Sequence, residues 1–355
     1  MQDANAAYHG LTDKKNLKTK ELNIMFRKSN NQTFGGRVAG STRISGATTG
    51  RGGSSQRLLV FLSIAILLAF TSFISAQHFG DWGAPVNAES IPGTSSELNT
   101  AANDGYPVLS PDGLSLYQVS DRPGGSGALD IWVSQRAGKD DPWGAPENLG
   151  LPINTSSNDW GPAPVPGHGL FFVSSGRADT CGLDDIYFTR FKNGAWEEPQ
   201  NVGCQINSAV FDFGPSYFED ESGNGVLYFS SNRAGTQDIY SSVDFGAAQL
   251  VPELNTAFND VRPYVRKDGL EIVFDSNRPG GFGLLDIYTA SRATTADPWS
   301  TPTNLGPLIN SAANDARPTL SRDGFTLMFG SNRGGGDGQS DIYVTTREKL
   351  HVNDQ

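Results

Sequence analysis

Three observations predict an all-β fold made of five small sheets arranged in a ring, a five-bladed β-propeller. One phrase recurs five times, as "SDRPGGSGALDIW", "SGRADTCGLDDIY", "SNRAGTQDIY", "SNRPGGFGLLDIY" and "SNRGGGDGQSDIY". The aspartates of its "DI" pairs are spaced by 55, 53, 48 and 55 residues, a period that belongs to propellers and solenoids. Glycine (42 residues) and proline (20) are abundant and helix-forming runs are scarce, so short strands and tight turns dominate.

Each unit reads as four strands. In the last, "RPTLS" is strand a, "TLMFGS" strand b and "DIYVTT" strand c, while Trp-Pro segments such as "DPWSTPTNLG" supply strand d. An Asp-Gly pair between a and b is a hairpin signal, and the β-branched and aromatic residues of b and c suit a half-buried pleat. Four antiparallel strands repeated about an axis make propeller blades, whereas solenoid rungs are shorter and parallel. Residues 81–87 form a strand d with no blade before it, and residues 341–346 a strand c with no strand d after it. The N-terminal strand is therefore expected to complete the fifth sheet and close the ring, removing an exposed edge.

Residues 1–57 carry ten basic and three acidic side chains and read as a disordered arm. Residues 58–76 are apolar and uncharged, so the positive-inside rule keeps the arm in the cytoplasm and exports the chain beyond residue 76. This stretch is either a cleaved signal peptide or a retained anchor, and it is the only expected membrane contact. The propeller is assigned to residues 77–347 and a short tail to 348–355. A periplasmic, cell-surface or secreted location is expected. Beyond residue 57 the chain holds 17 basic against 35 acidic groups, which argues against nucleic acid as a partner, since that affinity rests on neutralising phosphates. Cys181 and Cys204 lie in the exported part, on loops of one face, where a disulfide is stable.

The run "PVLSPDGLSLYQVSDRPGGSGALDIW", Pro107 to Trp132, follows the pattern P-x-x-S-x-D-G, then F-x-S-x-R-x-G with Gln118 at the Phe position, and D-I-[YW]. In this the chain resembles the WD-type repeats of the TolB-like propeller superfamily over about residues 80–347. Such propellers usually have six blades; five repeats are present here. The resemblance implies a non-catalytic scaffold that binds a protein or peptide through its loop face, and a monomer is expected.

The repeated charges are expected to be structural. In each blade an Arg would sit between two aspartates and clip the loop ends together by charge-assisted hydrogen bonds. The sets are Asp104, Arg122 and Asp130; Asp159, Arg177 and Asp185; Asp212, Arg233 and Asp238; Asp260, Arg278 and Asp286; and Asp315, Arg333 and Asp341. The glycines between them are expected to permit turns of positive φ.

Function is sought where the copies differ. Just before the strand-a proline stand Tyr106, Gly161, Gly214, Arg262 and Arg317, preceded by Gly105, Trp160, Phe213, Val261 and Ala316. One half of the channel mouth is then aromatic (Tyr106, Trp160, Phe213) and the other basic (Arg262, Arg317). Asp275 stands where the other blades have Val119, Ser174, Ser230 and Gly330. Such a rim suits a sugar ring or a carboxylate, and equally suits packing between blades. No catalytic, cofactor or metal motif is present, and the four histidines are scattered. The leading expectation is thus an exported binding protein without catalysis. The alternative is a lectin or glycoside hydrolase using the channel mouth, the latter needing two carboxylates across one sugar bond.

Overall fold

The computed structural model describes residues 79–350. The basic arm, the apolar stretch and most of the C-terminal tail lie outside the described residues. Among the described residues there are five antiparallel sheets. Blade 1 runs Asp104–Leu109, Ser115–Ser120, Asp130–Gln135 and Glu147–Asn148, and blade 3 runs Asp212–Glu219, Gly225–Ser231, Asp238–Val243 and Gln249–Leu250. Blade 4 comprises Asp260–Val265, Glu271–Ser276, Asp286–Ser291 and Thr303–Asn304. Blade 5 is made of Asp315–Leu320, Thr326–Ser331 and Asp341–Thr346, with Val86–Asn87 paired antiparallel outside them. Strand a of each blade packs on strand a of the next, and that of blade 5 packs on that of blade 1, so the inner strands form a ring.

Blade 2 departs from the plan. Beside Asp159–Val165, Gly169–Ser175 and Gln200–Asn201, its strand c is extended to Asp184–Lys192 and turns back through Ala195–Trp196, giving a fifth strand. Asn193 and Gly194 both have positive φ (54° and 83°), as a tight two-residue hairpin turn requires.

Strand d is shorter than the Trp-Pro segments suggest, with only two residues in the ladder of blades 1 and 4. Prolines at 142, 146, 298 and 302 remove the amide donors that a longer ladder needs, which confines these segments to the rim. Every strand a carries a register shift at its X-Pro pair, for example between Val261 and Tyr264. The pre-proline residue there lies at φ of 51°, 59°, 62°, 53° and 59° in blades 1 to 5.

The apolar interior is divided among the blade junctions. Phe171, Ile186 and Phe188 of blade 2 meet Leu227 and Phe229 of blade 3, and equivalent clusters fill the other junctions. At the junction of blades 5 and 1, Met328 and Ile342 pack with Leu116, Trp143, Ala88 and Leu98.

Candidate functional site

The Arg of each blade pairs with one aspartate, not two. Arg122 binds Asp104, Arg177 binds Asp159 (3.3 Å), Arg233 binds Asp212, Arg278 binds Asp260 and Arg333 binds Asp315, and all five carboxylates are 0% exposed. The same carboxylate takes the main-chain N–H and hydroxyl of a Thr or Ser four residues earlier, as Thr256 does for Asp260 (2.6 and 2.8 Å). The guanidinium lies against the aromatic ring of the "DI[YW]" phrase, 4.7 Å from the Tyr288 centroid and 4.9 Å from that of Tyr343.

The second aspartate of each expected set has other partners. Asp130, Asp286 and Asp341 accept main-chain N–H groups of the b–c loop, including Gly127, Gly283 (3.0 Å) and Gly338. Asp185 accepts from Cys181 N–H and Asn201, and Asp238 from the Thr236 hydroxyl. Burial raises the carboxyls of Asp185, Asp238 and Asp341 above their ordinary value. The two-carboxylate clip is thus corrected: groups of the b–c loop, with Asn201 in blade 2, hold the "DI" carboxylate, and the Arg pairs with the strand-a carboxylate alone.

Close approach, more than φ, explains several of these glycines. A Cβ at Gly281 would fall 2.3 Å from the Asp286 carboxylate, and one at Gly283 1.9 Å from the Ala313 carbonyl of the next blade. A further repeated device went unread in the sequence. Asn154, Asn207, Asn255 and Asn310 each bracket the N–H and C=O of the isoleucine in a "DI" pair, and Asn99 accepts from Ile342 N–H across the blade 5 to blade 1 junction (2.8 Å).

Cys181 and Cys204 form a disulfide enclosing 23 residues of sequence separation. Cys204→Ser is expected to cost about 3 kcal/mol and lower the melting midpoint by roughly 6–12 °C. Dithiothreitol should lower the wild type equally and leave the variant unmoved. Coincident melting curves would show that the bond contributes nothing.

The channel-mouth residues do come together. Tyr106 and Trp160 meet edge to face (5.4 Å between centroids), and Trp160 lies 5.5 Å from Phe213, which is buried against Val173 and Val261. Opposite them, Asp275 is 0% exposed and grips Arg262 through Nε (2.9 and 3.1 Å) and the terminal nitrogen, while also accepting the Arg317 main-chain N–H (3.0 Å). Asp275 faces Val261 in the ladder, so its counterpart in blade 2 is Val173, which faces Trp160, and not Ser174. An extra residue at Ser174–Ser175 displaces the count by one. Burial opposes the charge of Arg262, but Asp275 outweighs it and raises the guanidinium above its usual value.

This mouth is narrow, and its one carboxylate is committed. Its cavity holds about 20 Å³, and Asp275, like the strand-a aspartates, is already bound. A larger concavity of about 720 Å³ lies at the other end of the blades, at the junction of blades 1 and 2. Tyr117, Phe191 and Trp196 give it aromatic walls, and Asp112, Glu147 and His168 supply polar groups. The extra hairpin of blade 2 builds one wall, its Phe191 and Trp196 rings packed edge to face at 5.4 Å and Phe191 42% exposed. The a–b turn anchors this hairpin through the Phe191 N–H, which donates to the His168 carbonyl (2.9 Å). The Ser110 hydroxyl, then the Leu114 N–H, hold the Asp112 carboxyl below its ordinary value.

The sequence matches no family model, and no curated protein is significantly similar to it. Solved structures share the fold. An α-L-arabinofuranosidase from Lactobacillus brevis is 13% identical over 75% of this chain and 95% of its own, with a TM-score of 0.50. An endo-arabinase from Bacteroides thetaiotaomicron is 16% identical over 74% and 98% (TM-score 0.46), and a TolB protein from Agrobacterium tumefaciens 16% over 77% and 100% (0.44). At such identities the likeness concerns the fold alone. The expectation of a non-catalytic scaffold for a protein or peptide is corrected here: the fold is shared with a glycoside hydrolase, the Lactobacillus brevis enzyme.

Proposed function

We propose that the protein is a glycoside hydrolase that holds a saccharide chain in the groove between blades 1 and 2. The observation that carries this reading is the groove itself: about 720 Å³, with three aromatic side chains and two carboxylates facing one space. That volume is typical of ligand sites, and aromatic faces stack on the apolar faces of sugar rings. Glycosidic cleavage needs one carboxyl to protonate the leaving oxygen and a second, ionised, on the other side of the bond. Asp112, held in its charged form by Ser110 and Leu114, suits the ionised role, and Glu147, exposed on strand d of the same blade, is assigned the proton donor. This places the chemistry away from the channel mouth, where Asp275 is committed to Arg262.

The test is release of reducing ends from a panel of polysaccharides by the full chain. Glu147→Gln is expected to reduce turnover by about 100-fold or more, the usual worth of a general acid. Trp196→Ala should mainly raise KM, by roughly tenfold. A wild type that neither cleaves nor is retarded by any polysaccharide, or variants as active as the wild type, would overturn the assignment.

We further infer that the N-terminal strand closes the ring and that the propeller works outside the cytoplasm. Closure is supported by the pairing of Val86 with Val344 and of Asn87 with Tyr343, and by the hydrogen bond from Asn99 to Asn87 (3.0 Å), which repeats that from Asn154 to Asn148 (2.8 Å). Export is supported by the disulfide and by the acidic balance of the sequence beyond residue 57.

A further inference from the structure

Three side chains in the axial channel occupy backbone that would suit glycine better. Tyr106, Arg262 and Arg317 lie at φ of 51°, 53° and 59°, where blades 2 and 3 use Gly161 and Gly214. Non-glycine residues at such φ are uncommon and cost of order 1–3 kcal/mol each. Since glycine is available to this repeat, the side chains themselves are what the strain is spent on.

Their charges do not balance. Asp275 neutralises Arg262, and its remaining contact is with the main chain of Arg317, not the guanidinium. Arg317 lies 4.8 Å over the Tyr106 ring, and its buried Nε has no hydrogen-bond partner within the protein. Burial, with Arg262 close by, pulls this guanidinium below its usual value, and burial raises the Tyr106 phenol, which both guanidiniums oppose. One positive charge is thus left in a proline-lined space of about 20 Å³, enough for a single water-sized sphere. The side chain is partly exposed but its Nε is buried, and a buried donor left without a partner is costly, which an anion of matching size relieves.

We propose that the axial channel is a binding site for one halide-sized monovalent anion, held at Arg317 Nε with Arg262 and the Tyr106 hydroxyl completing the site. A space this small admits a halide more readily than acetate or a larger carboxylate. The ion ties blades 1, 4 and 5 together at the axis, and the site is independent of the saccharide groove.

The experiment is thermal unfolding of the full chain at fixed pH and ionic strength, with chloride, bromide, acetate or gluconate as the anion. Halide is expected to raise the melting midpoint by roughly 3–6 °C for each tenfold increase above its Kd, with acetate and gluconate inert. Arg317→Met should abolish the halide dependence. Equal midpoints in all four salts, stabilisation by acetate equal to that by chloride, or a dependence retained in Arg317→Met would overturn the site. Should Arg317→Met fail to fold, anomalous diffraction from bromide-soaked wild-type crystals decides: a peak beside Arg317 Nε supports the site, and its absence there refutes it.

Discussion

Deleting residues 79–87 is expected to lower the melting midpoint by roughly 12 °C or more and to make the protein aggregate at concentrations where the wild type is soluble. The segment contributes more than two ladder pairs. Gly80 and Gly83 donate N–H groups to the carbonyls of Glu348 and Thr346, the Thr345 hydroxyl donates to Gly83, and Asn99 donates to Asn87. Phe79 is held between the guanidiniums of Arg266 (4.8 Å) and Arg347 (3.7 Å), and Trp82 lies 4.3 Å from the latter. Four hydrogen bonds at about 1 kcal/mol each and the contacts of two aromatic side chains give a loss of roughly 6 kcal/mol. Removing the segment also uncovers strand Asp341–Thr346 as an edge, a template for pairing with another chain. Differential scanning calorimetry and light scattering measure both effects. A truncated protein that melts with the wild type and stays dispersed would sink the closure proposal, since a ring held at one junction by a short outer strand cannot be indifferent to its loss.

How far the sequence could be read depended on whether a feature repeats in register. The blade count, the Asp-Gly hairpins and the pairing of Asp260 with Arg278 come from spacing alone, because an antiparallel hairpin fixes which residues lie opposite. The fate of Asp286 does not, since it depends on the b–c loop turning its amides inward at Phe282 and Gly283. Ser174 was matched to Asp275 because a one-residue irregularity in blade 2 leaves no trace in a residue count. The groove was missed for another reason. Its residues come from the a–b turns, a strand d and a hairpin of two blades, and no linear motif joins Asp112, Glu147 and Trp196. One signal was available: "FKNGAW" interrupts strand c of blade 2 with an Asn-Gly turn that the other copies lack.

Arg278→Met is expected to cost about 3–5 kcal/mol, whereas Asp260→Asn and the double variant should each cost less. The asymmetry arises from burial. Without Arg278, the fully buried Asp260 carboxylate keeps only Thr256 and Ser276 as donors, and a buried charge stripped of its partner is expensive. Without the Asp260 charge, Arg278 keeps the Leu254 carbonyl, the Ser276 hydroxyl and the rings of Phe274 and Tyr288, and its side chain is 13% exposed to water. The double variant removes both charges, so its loss should fall short of the sum by roughly 1–3 kcal/mol. The Lys192–Glu197 pair, 65% and 40% exposed, is the control: Lys192→Met should move stability by no more than about 0.5 kcal/mol. Denaturant unfolding of the three clip variants and the control reads these differences directly. Strict additivity, or an Arg278→Met midpoint equal to that of the control, would mean the buried pair does not bind strand a to the loop after strand b. The repetition of the pair in all five blades would then need another cause.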